Sequence, residues 1–212
     1  MVAGKQIEQP DITDEELMQK VQRGDRTAFS LVYDRYADQM MRYFYRLLWQ
    51  DEELAGDMVQ DLFLKIIHRP KLYDPGRPFK TWIFSVASNM VKNQYRHATV
   101  RKEADAELRY AMPSATAGDE ITTGLDLSVF GHSLEQALNE LSTKHRDTFV
   151  LRYKEGLSVK EVSDAMACSE GTVKSRLYYA VQKLATRLQH FNTVEKPDSI
   201  GVVAPSKSNK AS

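Results

Sequence analysis

The sequence predicts an all-α protein of two small helical domains, and three observations carry that expectation. Apolar residues recur at i, i+3 and i+4 through long windows instead of alternating. Helix-capping side chains (Thr13, Asp25, Asp51, Ser158 and Ser169) stand directly in front of those windows. Between residues 104 and 133 the periodicity fades into Ala, Ser, Thr, Gly and Asp, which separates two periodic halves. Domains are expected at 13–99 and 134–191, joined by a flexible acidic linker over 100–133, with disordered ends at 1–12 and 192–212.

Thr13 and Glu16 form a capping box for a first helix that stops near Gly24, and Asp25 caps the second. In the second helix Phe29, Val32, Tyr33, Tyr36, Met40, Tyr43, Phe44 and Leu47 make one apolar stripe, expected in a core. Asp51 opens a third helix that Pro70 stops. Its wide apolar side holds Leu54, Met58, Val59, Leu62, Phe63, Ile66 and Ile67, and its other side Asp57, Gln60, Asp61, Leu64 and Lys65. A leucine among those polar residues points to a protein partner on that surface.

The stretch from Arg69 to Phe79 has three prolines and a glycine, so a stiff loop is expected, with Arg69, Lys71, Arg77 and Lys80 around it. The fourth helix follows, ending near His97. Ile83, Val86, Ala87, Met90 and Gln94 trace a mostly apolar face, while Trp82, Ser85, Asn89, Lys92, Asn93 and Arg96 trace another. An aromatic ring, amides and cations together can stack on unpaired bases, bond their edges and hold phosphates. The alternative, Trp82 in the core with solvated polar neighbours, fits the pattern equally well.

In the second half, residues 134–141 and Thr143 to Tyr153 read as helices, with Phe149 and Val150 available to a core, and Gly156 as a left-handed stop. Ser158 and Glu161 box a short helix. Ala167, Cys168 and Ser169 form a turn, and Ser169 caps a longer helix from Glu170. Val173, Leu177, Ala180, Val181, Leu184 and Leu188 mark its core side. Gly171, Thr172, Ser175, Tyr178 and Tyr179 lie opposite, flanked by Lys174 and Arg176. Small, hydroxyl-bearing and basic residues in the first turns suit a recognition helix entering the major groove. A solvated amphipathic helix is the alternative, with Arg176 paired to Glu161. Cys168 is expected as a small apolar plug beneath the helix.

The net charge is zero, yet it is segregated: −4 over residues 49–67, +6 over 68–103, −6 over 104–140 and +4 over 141–190. Local fields govern nucleic-acid binding, so the neutral sum does not argue against it. A single cysteine excludes an internal disulfide framework, and no long apolar run or signal peptide is evident, so a cytoplasmic protein is expected. The five histidines lack metal spacing, and no phosphate loop, dinucleotide fingerprint or nucleophile triad occurs. No cofactor, metal, catalytic residue or small-molecule substrate is expected.

Four segments, GDRTAFSLVYDRY, DMVQDLFLKII, FKTWIFSVASNMVKNQYR and LSTKHRDTFVLRYKEGLSVKEVSDAMACSEGTVKSRL, resemble in this order the bacterial sigma factors of the extracytoplasmic-function (ECF) group. The resemblance implies two helical domains, regions 2 and 4. It implies that Asp57, Gln60, Asp61 and Leu64 dock on the β′ clamp helices of core RNA polymerase, with the β flap as a further contact. It implies that Arg69, Lys71, Arg77, Lys80, Trp82, Asn89, Lys92, Asn93 and Arg96 capture unpaired bases of the −10 element. Ser169, Glu170, Gly171, Thr172, Lys174, Ser175, Arg176 and Tyr179 would read the −35 duplex. The acidic linker would thread the polymerase cleft, and an anti-sigma factor would hold the protein inactive. Ser142, Asn93 and Ala167 depart from the family's frequent proline, aspartate and glycine. A dimeric helix-turn-helix regulator, a protein-binding adaptor and a nucleic-acid enzyme are the rival readings.

Overall fold

The computed structural model describes residues 12–105 and 127–191, and the expectations for 1–11, 106–126 and 192–212 lie outside them. The described residues are helical, with no strand. They form α1 (Asp14–Gln22), α2 (Arg26–Leu47), α3 (Glu52–His68), α4 (Phe79–Asp105), α5 (Leu127–Asn139), α6 (Thr143–Phe149), α7 (Val159–Met166) and α8 (Glu170–Arg187).

The caps set these starts. Thr13 Oγ1 accepts from Glu16 N at 3.2 Å while Glu16 Oε2 accepts from Thr13 N at 3.0 Å. The Ser158/Glu161 box closes the same way, at 3.2 and 2.8 Å. Asp25, Asp51 and Ser169 each take orphan amides of the first turn, as expected. Gly24 and Gly156 adopt φ of +90° and +74°, which end the preceding helices. Ala167 takes the left-handed conformation too, at φ 52°, where the side chain makes it unfavourable by about 1–2 kcal/mol.

Helix boundaries differ at the linker. α4 runs on to Asp105 and α5 begins at Leu127, so helix occupies both ends of the stretch expected to be flexible. No Pro or Gly interrupts residues 80–105, so nothing stops propagation. Gly131 and the serines around it hid α5 from a reading by composition, but Phe130 packs edge-on against Phe191 at 5.4 Å. α6 also ends early and widens into a π-helical turn over Val150–Lys154. That turn lets Val150 and Leu151 both enter the core and leaves Glu155 pointing inward.

The main core comes from α1 to α4 and extends across to Val150, Leu151, Leu157, Val162, Ala165, Met166 and Val173 of the second half. A smaller cluster of Ala137, Leu138, Leu141, Ala180 and Leu184 supports α8. The two helical domains are therefore packed on each other, α7 against α4, and separate cores do not describe them. At the centre of that contact Asp147 is fully buried. It accepts from Tyr43 Oη at 2.7 Å and from Ser88 Oγ at 2.7 Å. Arg146 Nη2 donates to Leu47 O at 3.0 Å and to the Tyr95 hydroxyl, Nη1 to Asn139 Oδ1 at 2.8 Å, and its buried Nε has no hydrogen-bond partner. Gln39 Nε2 donates to Glu155 Oε2 at 2.8 Å, and Arg46 Nη1 lies 3.6 Å from Oε1.

Replacing Ala167 with glycine is expected to stabilise the chain by about 0.5–1 kcal/mol, read from the urea midpoint. Burial raises the Asp147 carboxyl above its usual range, against the lowering effect of Ser88, Tyr43, Lys92 and Arg176, and burial raises Glu155 likewise. Both groups hold a proton more tightly folded than unfolded. Their contribution is fully present below the ordinary carboxylate range and is lost as pH rises through the raised values. Wild type should therefore lose stability relative to Asp147→Asn as pH rises from the ordinary carboxylate range through the raised value of the Asp147 carboxyl. Equal urea midpoints at every pH would contradict this.

Candidate nucleic-acid interface

The loop before α4 is held from both sides. Gln22 Nε2 donates to Pro70 O at 3.0 Å and Tyr73 O at 2.8 Å, and Glu15 Oε1 accepts from Phe79 N at 2.8 Å. Tyr73 is buried and its hydroxyl donates to Arg77 O at 2.6 Å. Burial, with Glu15, Asp74 and Asp14 nearby, pushes that phenol up to about 12, so it stays a donor.

On this base stands Trp82. Its ring lies 5.7 Å from Phe79 at 33° and 5.2 Å from Tyr73 at 61°, while part of it remains exposed. The indole is thus neither fully in the core nor fully solvated, since one side packs on Tyr73 and Phe79 and part of the ring stays exposed. Arg77, Pro78, Thr81, Trp82, Ser85 and Asp164 line a cleft of about 300 Å³ beside it. Arg69, Lys71, Asn89, Asn93 and Arg96 are exposed on the same loop and helix. Lys80 and Lys92 are not free in the same way. Lys80 Nζ donates to Glu155 O at 2.9 Å, and Lys92 Nζ lies 3.5 Å from both Asn89 Oδ1 and Met166 O. Both cations turn toward the second domain.

The N-terminal turn of α8 is presented differently. Ser169 Oγ accepts from Thr172 N at 3.1 Å and lies 2.9 Å from the Thr172 hydroxyl; Ser175 Oγ donates to Thr172 O at 3.0 Å. Glu170, Gly171, Lys174, Ser175 and Tyr179 are exposed. A Cβ on Gly171 would meet only Ser169 Oγ, at 3.8 Å, so nothing inside the fold demands glycine there. Arg176 is half-buried. Its Nη1 is turned to Cys168 Sγ at 3.7 Å and Met166 Sδ at 4.0 Å, not to Glu161, whose carboxylate serves Ser158 and Thr81. Tyr178 is as exposed as Tyr179, and the aromatic edge of this helix is therefore broader than Tyr179 alone.

A third surface lies between α2 and α3. Tyr33, Met41, Gln60, Phe63, Leu64 and Ile67 help to line an open groove of about 580 Å³. Leu64 is 42% exposed, as its polar surroundings in the sequence suggested, and Asp57 and Asp61 are exposed on the adjacent flank. Tyr33 and Ile67 were expected in the core and instead form the groove's apolar lip. Each sits at the edge of its stripe, where the pattern alone does not separate core from rim.

The model of Sigma-70 region 2 matches residues 32–101, and that of Sigma-70, region 4 matches 131–184. The ECF RNA polymerase sigma factor SigL of Mycobacterium tuberculosis is 34% identical over 159 residues, 74% of this chain and 87% of the relative. The chain belongs to the ECF RNA polymerase sigma factors. SigW of Bacillus subtilis, from the same family, is 28% identical over 181 residues, 81% of this chain and 95% of its own. Among solved structures, CnrH in complex with the cytosolic domain of CnrY shares the fold at a TM-score of 0.62 and 23% identity, covering 84% of this chain and 97% of that one. The sigma factor RpoE with the anti-sigma factor NepR from Bartonella quintana does so at 0.61 and 24%, covering 79% and 98%. Within this sigma factor the region 2 match covers most of α2, all of α3 and most of α4, with α1 preceding it, and the region 4 match covers most of α5 to α8. Among the described residues no helix is long and apolar enough to cross a membrane.

Phe79→Leu in a Trp49→Phe background isolates the stacked indole. It is expected to cost about 1 kcal/mol through the lost ring contacts and to shift Trp82 emission to longer wavelength. Unchanged emission would mean that Phe79 does not support the ring.

Proposed function

We propose that this sigma factor binds core RNA polymerase and directs promoter-specific initiation, reading a −35 duplex with α8 and capturing unpaired −10 bases along the loop and α4. The observation that carries the proposal is Trp82, an indole packed on one side by Tyr73 and Phe79 and open on the other, with Arg77 at the same cleft. A flipped base can stack on such a ring while neighbouring cations hold its phosphates, which offsets unstacking by a few kcal/mol per base. Melting then requires no nucleotide hydrolysis, because the protein binds the unpaired strand better than the stacked one. Arg69, Lys71, Arg77, Asn89, Asn93 and Arg96 serve this strand, joined by Lys80 and Lys92 once their contacts to the second domain are released.

In the duplex, Ser169, Glu170, Gly171, Thr172, Lys174, Ser175 and Tyr179 meet the major groove and its phosphates. Arg176 acts chiefly by bracing the turn under α8, consistent with its sulfur contacts. Gln60 and Leu64 in the α2/α3 groove, with Asp57 and Asp61 on its flank, dock the β′ clamp helices, and region 4 meets the β flap. In this reading 13–99 forms the polymerase- and strand-binding domain and 134–191 the duplex-binding domain, and α4 and α5 extend past these bounds, to Asp105 and from Leu127. The protein acts in the cell interior as a binding factor and not as a catalyst. Regulation by an anti-sigma factor is supported by the two structural neighbours solved with CnrY and NepR.

Run-off transcription from a promoter library with purified core RNA polymerase tests this. The chain should yield selective transcripts. Trp82→Ala should weaken opening by roughly 1–3 kcal/mol, Lys174→Ala should reduce the salt dependence of promoter binding, and Leu64→Ala should weaken core binding by about 1 kcal/mol or more. Tight operator binding without any polymerase-dependent transcript would replace the proposal with a dimeric regulator.

A further inference from the structure

We propose that the pocket between the start of α6 and the second half of α8 is a phosphate site, which holds one backbone phosphodiester of duplex DNA outside the bases that the first turns of α8 read. This rests on the reading of α8 as the duplex-binding helix. It adds His145 and Lys183, which belong neither to the base-reading turn nor to its cap.

The pocket continues the DNA-facing side of α8. At about 100° per residue, Gly171, Ser175, Tyr179, Gln182 and Thr186 fall on one exposed stripe, with Lys183 at its edge. The buried Val173, Leu177, Ala180 and Leu184 lie on the other side of the helix. A recognition helix cannot stay on the groove floor along its whole length. The major groove is about 12 Å wide and about 8.5 Å deep. Ser175 to Lys183 covers about 12 Å of helix axis, at about 1.5 Å per residue. A helix that sets residues 171–175 against base edges therefore carries Tyr179 to Lys183 past the phosphate ridge that borders the groove.

The groups gathered there suit an anion. Ser142, His145, Tyr179, Gln182, Lys183 and Thr186 line an open cavity of about 460 Å³. The His145 ring lies 6.2 Å from that of Tyr179, and its Nδ1 is 2.8 Å from Ser142 Oγ. When the serine hydroxyl donates, the ring proton sits on Nε2, which then serves as a donor to a ligand. Lys183 Nζ donates to Glu140 O, a neutral carbonyl. The Glu140 carboxylate is held by Arg187, whose Nε and Nη2 both lie 2.6 Å from Oε2. The neighbouring acid is thus occupied, and the lysine charge remains for a ligand. An ammonium, an imidazole N–H, a phenol and an amide can all donate to phosphodiester oxygens, and such contacts fix register and affinity without reading sequence.

The test uses the holoenzyme on the strongest promoter from the run-off library. Duplexes carrying a single neutral methylphosphonate, placed in turn at each position from the −35 element outward, are titrated with wild type, Lys183→Gln and the double variant His145→Gln/Lys183→Gln. One substituted position outside the element should weaken wild type by at least about threefold and leave the double variant unaffected. A merely structural role of these side chains produces no such coupling. Lys183→Arg, which keeps the charge, should restore the sensitivity. Lys183→Gln should lower the slope of log affinity against log salt by about 1 on every promoter sequence, with base preference unchanged. If no position couples to Lys183 and His145, the inference is overturned. Loss of holoenzyme assembly in the double variant also overturns it, because the polymerase would then occupy this surface. If wild-type binding is indifferent to the sequence of the −35 element, the reading of α8 itself falls and takes the inference with it.

Discussion

The arrangement depends on one buried carboxylate. Asp147, at 1% exposure, is reached by Tyr43 from α2 and Ser88 from α4, so three helices from both halves of the chain converge on two oxygens. Apolar burial supplies most of the contact's stability but does not choose among sliding arrangements, because methyl groups pack nearly as well one turn along. A buried acid with two short hydrogen bonds does choose. Around it the second polar set, Glu155 with Gln39, Arg46 and the Lys80 ammonium on its carbonyl, fixes the same register from the other end of α6.

Rigidity and exposure are distributed according to what each surface is proposed to do. The strand-facing ring is mounted on a loop whose carbonyls and amide are held by α1, through Gln22 and Glu15, so Trp82 does not have to be ordered when it meets a base. The duplex-facing turn of α8 is fixed by its own cap, Ser169 with Thr172, and by Arg176 reaching back over Cys168. The α2/α3 groove is open and apolar, bordered by acidic residues on α3, which suits a helical partner carrying basic residues. The α2–α3 corner carries strain of its own, with Trp49 and Gln50 both at positive φ, 58° and 61°. Trp49 rests on Tyr95 at 4.7 Å, and Arg146 stands over the other ring at 5.8 Å, so the corner is braced by both α4 and α6.

The sequence by itself determined the local elements and the character of the surfaces. Caps, stops and the three-and-four spacing act within a few residues, so Thr13, Asp25, Asp51, Ser158, Ser169 and Gly156 placed helix ends directly, whereas the left-handed conformation of Ala167 came from the structure. Leu64 was legible because a leucine among acids is anomalous on any helix. Tertiary structure alone decided the rest. Whether Tyr33 is core or rim, whether Lys80 and Lys92 face DNA or a neighbouring domain, and whether Arg176 pairs with Glu161 or with sulfur atoms depend on which helix lies alongside. The partners of Asp147 lie 104 and 59 residues away along the chain. No periodicity encodes a contact at that separation; it exists only once hydrophobic burial has brought α2, α4 and α6 together and left a buried charge that must find donors.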